Sequence, residues 1–459
     1  MATMHSDASS PFIDRLSLEL QQMILCQLGD VLSLRSAALT CRALYHAVLS
    51  AETLITTRVW LEQVGIDALP EACLALEAAR GEPHSQETAR KFIETHLQKR
   101  AEPAIPWALS SAIPMAKLCV CVTDLASRFI EACATKTNIL SSSPPSTEEV
   151  SRIRQALYRF EIFCSLFRLE TNDGGPGPDL VNAYFSCFSP WEIEQLACVH
   201  DFLVRVVAPA FNDVAEHDIL WGVIHVESIE FVDNFDTGHI QHVLSLGLQK
   251  LRLISMTAAY KERYELLEGS KPVYRSMFLH EALTILPDPA GDMIFTETTA
   301  AEIRNQLTTF FVDSDGGPFE AWMWANQDES FRSVYREEHA PLRQWGYVMW
   351  DRQRLANNGI FDSRWERPET SQEDMNERTR RRAEIELSWE QREVIATSGG
   401  WGWWSLADHS KIIWPERKSQ PAQYRRRAPS RFEPKTLEEA RDGLRTFDLP
   451  LSVRRRLGG

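Results

Sequence analysis

The chain has 459 residues, 44% hydrophobic and 25% charged, with a formal net charge of −15. That composition belongs to a folded globular protein able to bury a sizeable core, and the negative charge argues against general affinity for nucleic acid. The polar start has no apolar run and no stretch of about 18 uncharged apolar residues occurs, so neither a signal peptide nor a membrane span is expected. Nine scattered cysteines without framework spacing read as reduced thiols and predict an intracellular protein, cytoplasmic or nuclear.

Leu16 to Tyr45 reads LSLELQQMILCQLGDVLSLRSAALTCRALY and predicts three short amphipathic helices. Leu20, Ile24 and Leu28 recur four apart and share one helical face. Ser17 stands where a cap for the first helix is needed, and Asp30 where one is needed for the second. About 35 residues are too few for a core of their own, so the apolar surface left over must be covered by the rest of the chain or by another protein.

This segment resembles the F-box, the motif by which substrate receptors dock on the Skp adaptor of a cullin–RING ubiquitin ligase. The resemblance is carried by Leu16, Leu18, Glu19 and Leu20, then Ile24-Leu25, Leu28, Leu32, Leu34 and Leu39, then Cys41-Arg42 with Leu44 and Tyr45. Ser17 replaces the proline usual in the family. What the resemblance implies is a set of adaptor contacts at Leu16, Leu18, Leu20, Ile24, Leu28, Leu32, Leu34, Leu39, Arg42 and Tyr45. It further implies cullin as a partner through the adaptor, an unknown protein substrate, no catalytic residues and no cofactor. A scaffold that uses the same docking without the ligase stays open as an alternative.

Beyond the segment the pattern is helical. A helix is expected from Ala51, then helical sequence from Gly65 to Arg100 broken at Gly81 to Ser85, then an apolar helix from Pro114 to Thr135. Ser146-Thr147-Glu148-Glu149 and Ser189-Pro190-Trp191-Glu192 are capping boxes, in which serine and the glutamate three residues on each satisfy a backbone donor. They open helices running to about Glu170, with Leu157, Phe160, Phe163 and Phe167 at helical spacing, and to about Val214. Single helices are also expected over Gly238–Leu267, Pro341–Asn357 and Met375–Ile395, and the best strand candidate is Val223 to Val232. The fold class is therefore mainly α, an F-box-like three-helix motif followed by an irregular helical body with few strands. No leucine-rich, WD, kelch or ankyrin period recurs. In overall style the chain is similar to fungal proteins that follow an F-box with a helical body. Boundaries are expected at residue 12, after a disordered start, at 60 and at 365. A Trp-rich charged helix and a basic tail then fill 366–459. From Tyr424 onward ten Lys/Arg face five acids, the composition of a surface-draped tail.

Three patterns invite a chemical reading. Ten of the fourteen tryptophans lie beyond residue 320, and helical spacing assigns most of them to a core. Trp401, Trp403 and Trp404 are set in a Gly-rich loop that cannot bury all three by periodicity, and they are the expected substrate contact. His217, His225, His239 and His242, with Asp218, Asp233 and Asp236, suggest an enzyme site, but no third ligand sits at a fixed offset and no metal is expected. The terminal Gly458-Gly459 lacks the β-grasp pattern that would make it ubiquitin-like.

Overall fold

The first two helices each begin at a side chain that satisfies a backbone donor. Ser17 caps α1 (Leu18–Leu25), and Asp30 caps α2 (Val31–Ala38) by accepting from the Ser33 N–H at 2.8 Å. Then α3 (Arg42–Ser50) runs through Ala51 into α4 (Glu52–Val64), which Gly65 ends at φ +83°. The computed structural model describes residues 12–81, 85–101, 107–141, 143–168, 177–229, 238–275, 278–285, 310, 313–326, 335–367, 369 and 371–415. The start up to residue 11, Asp233, Asp236, residues 230–232 and the basic tail with its diglycine lie outside them.

The covering the N-terminal helices need comes in part from α7 (Leu109–Ala134), on which both α2 and α4 pack. Leu34, Ile55, Val59 and Trp60 are buried there. By length and composition α7 alone would cross a membrane, yet Leu118, Val122, Leu125 and Phe129 are buried within this fold. Its polar face is tied to a neighbour: Asp124 accepts from Arg252 at 2.8 Å and Arg128 donates to Ser255 at 2.9 Å.

Between these lie α5 (Leu69–Arg80) and α6 (Gln86–Phe92), the latter continuing as a π turn over Ile93–Gln98. The centre is a pair of long helices, α8 (Thr147–Phe167) and α10 (Pro190–His217), joined through α9 (Pro178–Phe185). Both begin in the expected capping boxes, with Ser146 N–H donating to Glu149 and Ser189 N–H to Glu192 at 2.8 Å each. Phe163 packs on Phe167, Tyr184, Phe185 and Phe278, and burying each such ring stabilises by about 1.5–3 kcal/mol.

The chain continues through α11 (Ile219–Val223) to α12 (Gly238–Ser245), α13 (Leu248–Met256), α14 (Tyr260–Leu266) and α15 (Leu279–Ile285). The single helix expected over Gly238–Leu267 is thus three. Gly247 turns at φ +85°, and Glu161 from α8 accepts from the freed Leu248 N–H at 2.7 Å. Residues 226–229 are extended without pairing, so the expected strand does not form there.

The C-terminal third docks back on the long helices through α16 (Gly317–Ala325), α17 (Ala340–Arg343) and α18 (Arg352–Asn357). The helix expected over Pro341–Asn357 is split by Gly346 at φ +63°, which lets Trp350 turn inward and donate to the Trp345 carbonyl at 2.9 Å. Two guanidiniums staple this part to α8. Arg152 meets Asp313 at 2.6 Å and Asp351 at 2.7 Å, and Arg354 grips Glu149 at 2.7 and 2.9 Å. Asp315 Oδ1 accepts from both Gly317 N–H (2.7 Å) and Arg352 N–H (2.8 Å), drawing α16 against the Trp350–Arg352 backbone. A Cβ at 317 would fall inside contact distance of that backbone. Gly317→Ala is therefore expected to destabilise by about 3 kcal/mol, read as a lower urea midpoint with unchanged slope.

Last come α19 (Gln372–Thr397) and a two-residue hairpin, β1 (Trp401–Gly402) against β2 (Ile412–Ile413), in the register Trp401↔Ile413. α19 packs on α11. One compact unit runs through Ile413, so the boundaries expected at 60 and 365 do not separate packing units; the division falls at Trp414. Helices 2 and 4 are sealed on α7 and α19 on α11, which is why no seam opens at either place. The fold is mainly α, as expected.

Candidate functional site

The N-terminal segment has an inner and an outer face. Leu25, Val31, Leu34, Leu44, Ala47 and Val48 are buried. Gln21 is buried too, donating to the Ile13 carbonyl at 3.0 Å and to the Leu16 carbonyl at 3.1 Å, which anchors α1 to the preceding turn. The outer face of α1 carries Leu18, Leu20, Met23 and Ile24, between 44% and 64% exposed. α3 packs beside it and presents Tyr45 and Leu49 to solvent. A bond of 2.9 Å from Gln22 to Ser50 holds the two helices in line. Leu39 and Arg42 are exposed at the turn between α2 and α3.

Five of the ten residues implied as adaptor contacts therefore lie open as apolar surface: Leu18, Leu20, Ile24, Leu39 and Tyr45. Arg42 is exposed as well, and Leu16, Leu28 and Leu32 are half-buried. Leu34 is corrected: at 0% exposure it is core, because α2 turns it away from solvent. Met23 and Leu49 belong to the outer face and were missed, although Met23 follows Leu20 by three and Leu49 follows Tyr45 by four.

The described members of the histidine–aspartate set do not gather. His217 and Asp218 end α10, where Asp218 caps α11 and accepts from the Tyr260 hydroxyl at 2.9 Å. His225 stacks on Trp389 with centroids 4.8 Å apart. His239 and His242 sit on α12, His242 facing Glu268 at 3.7 Å. Among the described residues no three His, Cys, Asp or Glu side chains form a metal-ligand cluster.

The tryptophan loop splits the same way. Trp401 is 57% exposed, Trp403 is half-buried between His217 and Lys411, and Trp404 is buried. The expectation that all three form a contact surface is corrected for Trp404. It is drawn in because its N–H donates to the His217 carbonyl at 2.8 Å while His217 Nδ1 lies 3.1 Å from its own carbonyl. This pairing leaves a groove of ≈ 200 Å³ between the end of α10, α19 and residues 404–406.

Strongly perturbed titratable groups in an open cleft mark candidate chemistry. The strongly shifted carboxyls here are interior. Burial pushes Glu71 up to about 8 against the pull of Arg159, and pushes Glu194 up to about 7 against Arg343. Burial also works on Asp201, but Arg343 at 2.6 Å and His200 at 2.9 Å overcome it and hold that carboxyl far below the ordinary range. Burial acts on thiols in the same direction, pushing Cys121 and Cys133 up to about 12 and so disfavouring their thiolates.

Comparison with protein-family models, with curated proteins and with solved structures found no match to this chain. The site is therefore argued from its own surface.

Proposed function

We propose that the chain is a substrate-receptor subunit of a Skp–cullin–F-box ubiquitin ligase, docking on the Skp adaptor through α1 and α3 and holding a protein substrate on its body. The observation that carries this reading is the open apolar face of Leu18, Leu20, Met23, Ile24, Tyr45 and Leu49, formed by residues of the F-box-like segment and their helical neighbours. The segment's inner face is sealed on α7, and the outer face is left exposed by the other described elements. An apolar face of this kind marks an interaction site, and a partner that buries it supplies the driving force that a segment this short cannot generate alone. The chain's work would be positional, raising the effective concentration of substrate lysines near the charged conjugating enzyme.

Leu20 and Ile24 are about half exposed, so replacing both with aspartate is expected to leave the melting temperature nearly unchanged. Co-purification with the Skp adaptor is expected to fall to background, since two carboxylates would be buried unpaired in the interface. Equal recovery of adaptor by the wild type and the double variant would sink the reading. Recovery of the adaptor without cullin, with no protein stabilised by proteasome inhibition, would favour the scaffold.

A further inference from the structure

Trp389, Trp404 and Arg392 line the groove beside α19, and the first two carry buried donors without acceptors among the described residues. Trp404 is 2% exposed and Trp389 7%, and the Nε1–H of each is buried with no acceptor among the described residues. Arg392 is as deeply placed, and its side chain packs so tightly on Gly222 that no Cβ fits there. Its Nη1 donates to the carbonyls of Ala215 and Asp218, the latter at 2.9 Å, and its Nε to the Ser388 carbonyl at 3.4 Å. No carboxylate among the described residues comes within ion-pair distance of it, Asp218 and Glu216 acting only from farther away. The two acids in the lining, Glu216 and Glu384, are both engaged by Arg381, at 3.3 and 3.2 Å.

A buried guanidinium without a counter-ion, beside two buried donors without acceptors, is a site missing an anion. Burial holds Arg392 down to about 10, the direction expected of a cation lacking its partner. Val226, Ile385, Leu406 and the indole rings give the groove an apolar side, His217, Ser228, Ser388 and Ser405 complete its lining, and its ≈ 200 Å³ suits a single ring. We propose that this groove binds a carboxylate carried on one aromatic group, the carboxylate accepting from Arg392 and the two indole N–H groups while the ring fills the apolar wall. Two sources share that chemistry: a polypeptide ending in an aromatic residue, and a free aromatic acid. The inference does not depend on what the N-terminal face binds.

Calorimetric titration of the full chain tests it with Ala-Ala-Ala-Phe bearing a free carboxylate, the same peptide amidated, and 3-phenylpropionate. The acid peptide is expected to bind about tenfold or more tighter than the amide, because charge-assisted hydrogen bonds are the stronger kind. Trp389→Phe and Trp404→Phe keep the ring and remove the donor, and each is expected to weaken the acid several-fold. Binding by both acids assigns the site to small aromatic acids; binding by the acid peptide alone assigns it to a polypeptide C-terminus. Equal affinity for acid and amide, no loss in either Phe variant of unchanged melting temperature, or no binding of any probe at millimolar concentration overturns the proposal.

Discussion

Replacing Arg343 with methionine is expected to destabilise the protein by about 3–5 kcal/mol, the cost of stranding buried carboxylates. Arg343 is fully buried, with Asp201 at 2.6 Å and Glu194 at 3.4 Å, both also at 0% exposure. It lies over the Tyr335 ring at 4.1 Å, and Tyr335 donates to Asp201 at 3.2 Å. Asp201 is ionised because of Arg343 and His200, so removing the guanidinium leaves a buried carboxylate that has lost its nearest cation, with the His200 ring at 2.9 Å and the Tyr335 hydroxyl at 3.2 Å still beside it. Methionine fills the volume, so the loss is electrostatic and not a cavity. For a unit of this size the change is expected to appear as a drop in melting temperature on the order of 5 °C. Because Glu194 is already pushed toward its neutral form, Glu194→Gln alone should cost much less. Equal losses from the two substitutions would mean that Glu194, not Asp201, carries the charge Arg343 answers.

That cluster also marks where the sequence stops being informative. Capping is local chemistry: Ser17, Asp30, Ser146 and Ser189 sit within three residues of the groups they satisfy, so those four helix starts could be read directly. The breaks inside Gly238–Leu267 and Pro341–Asn357 could not. Their apolar periodicity runs on across Gly247 and Gly346, and what decides the turn at Gly247 is a carboxylate on another helix, Glu161. Arg343 and Asp201 stand 142 residues apart, and neither carries a local mark of the other. The exposed apolar face was legible as a set of apolar residues at helical spacing, but its sidedness was not. Leu34 has the same spacing as its exposed neighbours and went inward, because α2 has α3, α4 and α7 around it. In the groove, the partners of Arg392 are main-chain carbonyls, which any sequence supplies.

The second large effect is a dependence on pH set at Glu71. Glu71 lies fully buried on α5 and shares the Arg159 guanidinium with Glu192, each carboxylate 3.5 Å from Nη2. Glu192 is further held by its own capping box and by the Phe310 N–H at 3.0 Å, so it is the better-solvated of the two as an anion. Glu71 has its own backbone N–H and the Arg159 guanidinium to support it but an Oε2 without a hydrogen-bond partner among the described residues, and burial keeps its proton on until about pH 8, against an ordinary value of 4.5. Between those values folded Glu71 keeps a proton that the unfolded chain has released, so its own contribution to unfolding free energy falls as pH rises through about 4.5 to 8 and levels off above, while the buried His280 and His339, held down to about 4 and about 3, contribute with the opposite sign up to about 6.5. A shift of this size corresponds to roughly 3–5 kcal/mol across the window. Glu194 acts with the same sign but stops at about 7. Asp201 acts oppositely, its contribution being lost only as pH falls below the unfolded carboxyl's range. Glu71→Gln is expected to melt like the wild type at pH 5 and to outlast it at pH 8.5 by on the order of 5 °C. What Glu71→Gln removes is the difference in slope between the two proteins up to about pH 8, the variant keeping the opposed contributions of Glu194 and of the buried His280 and His339. If instead the variant is the weaker protein at pH 8.5, Glu71 is ionised and paired with Arg159, and the charge balance of the α5–α8–α10 interface is the reverse of the one argued here.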